Sequence, residues 1–157
     1  MYEPTRSELD SARQHFAYEL DMLRAVTDML RDRPDPMALH NALLESALVH
    51  ARNLHDFFIH QQSDEDDVLA LHYVADQSLW TRPALTYVRS CQRPINKALS
   101  HLTYHRTVKK PLWRLSVMRN EIETAYSQFL EALPEDEREN WPATQEPSQP
   151  DSGFDVS

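Results

Sequence analysis

Residues 35–60 read DPMALHNALLESALVHARNLHDFFIH and carry the strongest hydrophobic pattern in the chain. The apolar residues recur at spacings of three and four, namely Leu39, Leu43, Leu44, Ala47, Leu48, Leu54, Phe57 and Phe58. This period places them on one face of an α-helix. We expect Asp35 as its N-cap and Pro36 as its first residue, because proline lacks the amide that a helix start leaves unbonded. The pattern predicts a helix that ends at about His60.

Similar patterns on both sides of this stretch predict further helices. Their expected limits are Ser7 to Arg33, Val68 to about Ala75, Thr81 to about Val108 with an interruption at Pro94, and Pro111 to Pro134. Ser7 and Asp10 resemble a capping box at the start of the first helix. Helices joined by modest connections are typical of an all-α, antiparallel four-helix bundle, here with one short extra helix.

Composition narrows the possible folds. The chain has 157 residues, one glycine, ten prolines and a single cysteine, Cys91. The single glycine argues against glycine-rich phosphate loops and tight-turned β architectures, and Cys91 alone can form neither an internal disulfide nor a cysteine-based zinc site. We expect a helical bundle domain over residues 1–133 and a disordered, acidic, proline-rich tail over 134–157. The sequence has no apolar run typical of a signal peptide or a membrane span, so we expect a cytoplasmic protein that does not associate with a membrane. We also expect that it binds no cofactor and no metal.

Charge is unevenly distributed along the chain. The net charge is −9, yet residues 77–120 hold nine bases and no acid. Such a segment can attract phosphate groups, or it can pack against the acidic residues of the N-terminal half. The sequence leaves both interpretations open. The acidic tail also offers a possible contact for a protein partner.

A polar constellation lies within the strongly patterned helix. Glu45, Arg52 and Asp56 fall on nearly one helix face, among leucines and phenylalanines. A buried arginine needs acceptors for its guanidinium, and two carboxylates would supply them. The alternatives are an ion-pair network that fixes helix register and a phosphate clamp centred on Arg52.

A second constellation lies in the basic segment. Asn96 precedes His101 by five residues, and the basic or phenolic side chains Arg93, Lys97, Tyr104 and Arg106 surround this pair in sequence. A histidine beside cations can transfer protons while the 2′-hydroxyl of RNA attacks its own phosphate. We therefore predict His101 as general acid and base, Asn96 as the residue that positions the phosphate, and Arg93, Lys97, Tyr104 and Arg106 as phosphate-binding residues.

Four aromatic residues are interleaved with these bases: Trp80, Tyr87, Tyr104 and Trp113. Aromatic rings beside cations suit single-stranded RNA, because bases stack on the rings while cations contact phosphates. The alternative is that at least two of the four are core residues.

The segments HARNLHDFF (50–58), DEDDVLALHY (64–73) and INKALSHLTYHR (95–106) resemble those of small bacterial all-helical proteins. The arrangement over about residues 7–132 is similar to the HEPN superfamily, helical bundles that include dimeric, metal-independent ribonucleases of toxin–antitoxin and phage-defence systems. Their usual signature is an arginine, a polar residue, three further residues and a histidine. The run from Asn96 to His101 matches its spacing, but Asn96 stands in the place of the arginine.

The sequence thus leads to two functional hypotheses. The first is a HEPN-like homodimer that binds RNA or a nucleotide phosphate, with weak or lost ribonuclease activity. The second is a non-catalytic module for protein interaction or dimerisation, in which the Arg52 network is purely structural.

Overall fold

The structure is a computed structural model that describes residues 3–60, 67–78, 80–100, 112–146 and 155–156. The chain is mostly helical (70%), which confirms the all-α class. The helices are α1 (Arg6–Arg31), α2 (Met37–Ile59), a 3-10 helix (Ala70–His72), α3 (Thr86–Ser100), α4 (Leu115–Ala132) and the short α5 (Glu135–Arg138). Two-residue strands, β1 (Trp113–Arg114) and β2 (Asp155–Val156), pair antiparallel.

The N-cap residue of helix α1 is Thr5, two residues before the expected cap, Ser7. The Glu8 amide donates to Thr5 Oγ1 at 3.3 Å, and the Thr5 amide donates to a Glu8 carboxylate oxygen at 2.7 Å. The expected box at Ser7 and Asp10 is therefore wrong, because Thr5 and Glu8 provide the same spacing with the glutamate that such boxes prefer. The helix ends at Arg31, just before the expected limit.

Helix α2 confirms most of the quoted pattern, since Leu44, Ala47, Leu48, Leu54, Phe57 and Phe58 are all buried. Its start differs: the cap position is Pro36 rather than Asp35, and no side chain caps the helix. Leu39, expected on the inner face, is 45% exposed. The first turn therefore projects beyond the core.

Helix α3 begins at Thr86, after Leu85, whose φ of 39° and buried side chain turn the backbone into the helix. It continues through Pro94, where we expected an interruption. Pro94 and Ser90 are both exposed, so water can bond the carbonyl that the missing proline amide leaves free. The start of α4 at Leu115 rather than Pro111 reflects the extended residues Trp113 and Arg114 before it.

The core is centred on aromatic rings from distant parts of the chain. Phe129 of α4 lies 4.8 Å from Trp141 and 5.4 Å from Phe57, measured between ring centroids. Phe16 of α1 lies 4.6 Å from Phe57 and 5.2 Å from Trp141. Three of these four contacts are edge-to-face, and such contacts are favourable beyond the area that they bury. Trp141 is therefore part of the central core.

Residues 134–146, which we call the C-terminal strap, correct the expected tail. Trp141 is only 6% exposed, and Tyr126 donates its hydroxyl to the Pro142 carbonyl. Arg24 donates to the Ala143 carbonyl at 3.1 Å, and Arg119 donates to Gln145 Oε1 at 2.7 Å. The prediction of disorder from residue 134 is wrong for the strap, because one buried ring and three acceptors outweigh its acidic, proline-rich composition. Residues 147–154 and 157 lie outside the described residues.

Candidate nucleic-acid interface

Helix α3 carries a row of exposed cations. Arg89, Arg93 and Lys97 follow one another at four-residue spacing, and all three are exposed. The helix itself contains no acid, and no carboxylate in the described part of the chain lies within 4 Å of these three cations. We call these residues the α3 cation row. Four residues of α-helix rise about 6 Å, so the three cations form a row of positive charge that can face the phosphates of a nucleic-acid strand.

Two amide side chains lie beside the α3 cation row. Gln92 Nε2 and Asn96 Oδ1 are buried and have no hydrogen-bond partner among the described residues. Gln92 and Asn96 are one helical turn apart and only partly buried as residues. Arg93, Asn96 and Lys97 all lie on α3, and their role as a site stays a prediction. The other predicted members, His101, Tyr104 and Arg106, lie outside the described residues.

The interleaved aromatic residues are mainly structural. Trp80 is 8% and Trp113 is 4% exposed, so neither offers a face for stacking. Tyr87 is half-buried, accepts from the Arg114 amide at 2.9 Å, and has the Arg114 guanidinium 5.8 Å from its ring centroid. Burial raises the pKa of the Tyr87 hydroxyl. Two of the three aromatic residues that the structure describes, Trp80 and Trp113, are therefore core residues, which agrees with the alternative interpretation. Tyr104 lies outside the described residues.

Of the two ion pairs predicted around Arg52, only the pair with Asp56 forms, and it is exposed. The Arg52 side chain is 42% exposed, and its Nε lies 3.9 Å from Asp56 Oδ2. Glu45 is exposed and makes no ion pair with Arg52 in the described chain. Asp56 instead accepts from buried His55, whose Nδ1 lies 2.9 Å away. The sequence pattern missed that Arg52 lies at the edge of the buried face of α2.

The buried ion pairs involve other arginines. Arg24 of α1 donates to both carboxylate oxygens of Glu123 on α4, at 2.6 and 2.8 Å. The two side chains are 7% and 2% exposed. Such a bidentate pair satisfies both charges where water is excluded. The sequence signal was weak, because the partners are 99 residues apart.

Arg119 shows that part of the basic segment packs inside the molecule. It donates to Asp28 and, at 3.1 Å, to Thr27 Oγ1, both on α1. One base of segment 77–120 therefore pairs with the acidic N-terminal half, whereas the α3 cation row stays exposed. The interpretation that the segment packs against the acidic half is thus confirmed for Arg119, and attraction of phosphate by the α3 cation row stays a prediction.

A second polar cluster joins α1 to the strap. Glu137 of α5 accepts from Arg6 at 2.8 Å and from Arg13 at 3.2 Å. These hydrogen bonds and charges lower the pKa of the Glu137 carboxyl and raise the pKa of Arg6. Asp10 lies 3.5 Å from Arg6 and 3.3 Å from Arg13. No local pattern in the sequence indicates this contact, because Arg6 and Glu137 are 131 residues apart.

An open depression of about 550 Å³ lies beside Trp80, and its rim includes Asp76, Thr81, Gln128 and Glu131. Hydrogen bonds from Ser78 keep the pKa of Asp76 low, so this carboxylate is ionised at neutral pH. Its acidic rim repels phosphates, so α3 offers the better surface for them.

Within the described ranges, no group of three or more potential ligands could hold a metal ion. None of the described helices has the length and apolar character to cross a membrane. Comparison with known proteins gave no match among family models, curated proteins or solved structures.

Proposed function

We propose that this protein binds RNA or a nucleotide phosphate through the α3 cation row, as a HEPN-like helical protein. The observation that carries the proposal is the exposure of Arg89, Arg93 and Lys97 on one helix without a neighbouring described carboxylate. Cations that are not neutralised within the protein remain available to a phosphate backbone. Their binding releases counterions from the nucleic acid and so favours association at low salt.

The bundle architecture is part of this proposal. Helix α1 contacts α2 and α4, α2 contacts α3 and α4, and α3 contacts α4. Mutual packing of all four long helices supports an antiparallel four-helix bundle, with the α3 cation row on its outside. A cytoplasmic location would give such a protein access to RNA.

A ribonuclease reaction would combine residues of α3 with His101, which lies outside the described residues. In this mechanism His101 takes the proton of the RNA 2′-hydroxyl and returns a proton to the leaving oxygen. Asn96 positions the phosphate, and Arg93 or Lys97 offsets its charge, with Tyr104 and Arg106 as further phosphate contacts. The unpartnered Asn96 Oδ1 supports a polar role for this side chain.

RNA binding at two salt concentrations tests the proposal. We expect Arg93→Gln and Lys97→Gln each to lower the slope of log K against log salt by about 0.7, the value for one contact to a single strand. Arg33→Gln, which removes an exposed charge outside α3, is the matched control and should leave the slope unchanged. Absence of RNA binding at low salt would refute the proposal. RNA cleavage that survives His101→Ala would refute the mechanism.

The interaction module is the second candidate, and one observation favours it. Large apolar side chains are exposed along the outer sides of α1 and α2, among them Tyr18 (56%), Met29 (55%) and Val49 (41%). Such a face can mediate association of two copies. Analytical ultracentrifugation separates the candidates: a dimer that Met29→Lys dissociates, together with no RNA binding, would favour the module.

A further inference from the structure

A small cavity lies between α1, the 3-10 helix and the strap, away from the α3 cation row in sequence. Its volume is about 170 Å³, and its polar lining comes from Arg6, Arg13, His72, Tyr73, Glu137 and Trp141. A water molecule occupies about 30 Å³ of liquid, whereas pockets for drug-sized ligands measure about 300–1,000 Å³. The cavity therefore suits a small polar group rather than a whole nucleotide.

Two residues that line the cavity each carry a buried hydrogen-bond donor without a partner among the described residues. Arg13 Nε and Trp141 Nε1 are buried, and neither has an acceptor among the described residues. The Arg13 guanidinium lies 5.4 Å from the Trp141 ring centroid, so the two groups are neighbours. Buried N–H groups are nearly always paired in folded proteins. This pair of donors calls for a group rich in acceptors.

His72 adds a further donor without adding a charge. Its Nδ1 accepts from the Leu69 amide at 3.3 Å, which in a neutral ring leaves the proton on Nε2. Burial lowers the pKa of His72, so the ring is neutral at pH 7. Tyr73 donates its hydroxyl to the Leu9 carbonyl at 2.8 Å and thereby fixes one wall of the cavity.

The Glu137 carboxylate already accepts hydrogen bonds from Arg6 and Arg13 at this site. Its carboxylate joins Arg6 and Arg13 and, with Asp10, balances their two positive charges. The Glu137 side chain is 23% exposed and stands on a helix of four residues, so it can leave the arginines without disturbing the core. Two carboxylate oxygens engage Arg6 and Arg13, which leaves the donors of Arg13 Nε and Trp141 unmet.

We propose that this cavity binds a phosphate group, which displaces the Glu137 carboxylate from Arg6 and Arg13. In this structure the Glu137 carboxylate accepts from Arg6 and Arg13 but not from Arg13 Nε or Trp141 Nε1. Once Glu137 has moved away, the four tetrahedral oxygens of a phosphate can accept from both arginines and from these two donors. Guanidinium groups match phosphate geometry through paired N–H donors. Glu137 thus acts as an internal competitor for the site, and the bound phosphate is either a free ion or the end of a phosphomonoester.

Isothermal titration calorimetry with inorganic phosphate at constant ionic strength tests this proposal on the full chain. We expect saturable binding that Arg6→Gln weakens at least about tenfold, the effect of losing one charged hydrogen bond. The Arg6 side chain is 65% exposed, so this variant should fold normally. Arg33→Gln is the matched control, because it removes an exposed charge that belongs neither to this cavity nor to the α3 cation row, and it should leave phosphate binding unchanged.

Glu137→Gln gives the more specific result. Removing the competing charge should strengthen phosphate binding, whereas Glu139→Gln, an exposed neighbour, should not change it. Adenosine 5′-monophosphate distinguishes the two sources: competition with phosphate indicates a phosphomonoester, and its absence indicates a free ion. No saturable binding, or equal weakening by Arg6→Gln and Arg33→Gln, would overturn the proposal. RNA binding through α3 is tested independently of this site, because that test uses Arg93→Gln and Lys97→Gln rather than the Arg6 and Glu137 variants.

Discussion

Two arginines of this chain look alike in sequence and differ in structure. Arg24 and Arg52 both stand within helices among apolar residues, yet their side chains are 7% and 42% exposed. The difference comes from the neighbouring helix: Glu123 of α4 reaches Arg24, whereas Arg52 has only Asp56 of its own helix. A helical period gives the angle of a side chain but not what lies opposite it, so sequence reasoning selected the wrong arginine.

The energetic consequence can be measured with one substitution at each position. Arg24→Met should lower the free energy of unfolding by about 3–5 kcal/mol, because it leaves the Glu123 carboxylate buried without a partner. Arg52→Met should cost less than about 1 kcal/mol, as expected for an exposed ion pair. Urea unfolding of both variants measures these values.

A double variant identifies the source of the loss. Arg24→Met combined with Glu123→Leu removes both charges and should recover much of the stability. Equal losses for Arg24→Met and Arg52→Met, or no recovery in the double variant, would contradict the assignment of a buried ion pair.

Among the elements, α3 depends on its neighbour for its start. The Tyr87 amide donates to both carboxylate oxygens of Glu121, at 2.9 and 3.0 Å, and the Val88 amide donates to one of them at 3.0 Å. Glu121 belongs to α4, so this carboxylate caps one helix from another. Its negative charge also matches the positive end of the α3 dipole.

Loss of this cap should loosen α3. Glu121→Ala should cost about 1–2 kcal/mol, the range for removing a helix N-cap, and should increase amide hydrogen exchange at Tyr87 and Val88. Glu131→Ala, an exposed glutamate on the same helix, is the control and should change neither quantity. Unchanged exchange at Val88 in Glu121→Ala would show that the cap is not needed.

Helix existence was predictable from the sequence, and helix starts were not. The apolar period identified α1, α2, α3 and α4 because it reports burial directly. The caps depended on tertiary contacts: Glu121 lies 33 residues from Val88, beyond any local pattern. Pro94 is tolerated because solvent can reach the carbonyl that it leaves unbonded, a condition that no sequence spacing reveals.

On the scale of the whole molecule, the strap completes the core. It supplies Trp141 to the aromatic cluster and carbonyl or amide oxygens to Arg24, Arg119 and Tyr126. Burial raises the pKa of Tyr126, so its hydroxyl remains protonated and can donate to Pro142. Composition alone predicted a disordered tail, because the numbers of acids and prolines do not show that oxygen atoms of the strap accept hydrogen bonds from Tyr126, Arg24 and Arg119.

Two truncations test the role of the strap. A chain ending at Leu133 should lose several kcal/mol of stability, since one buried tryptophan alone is worth about 3–5 kcal/mol. A chain ending at Glu146 keeps the strap and loses, among the described contacts, those of the two-residue strand β2 with β1 and α4. It should melt near the full-length temperature. Thermal unfolding followed by circular dichroism measures both. Similar melting temperatures for the two truncations would contradict a structural strap.

The candidate interface was predictable in part. The charge run of residues 77–120 indicated a basic segment, and the structure keeps Arg89, Arg93 and Lys97 exposed on α3. The charge run gave no sign that Arg119 forms an ion pair with Asp28, nor that Arg6 and Arg13 form ion pairs with Glu137. Charge along a segment reports composition, whereas a site depends on which segments fold together.

Arg13 and Glu137 are 124 residues apart, and Phe16 and Trp141 span a similar stretch. During synthesis, the nascent chain therefore exposes its aromatic centre until the last of these residues has left the ribosome. Contacts of such long sequence separation also slow folding, because the chain must close a large loop first. Chaperones that recognise exposed apolar segments have their longest opportunity to bind this protein in that interval.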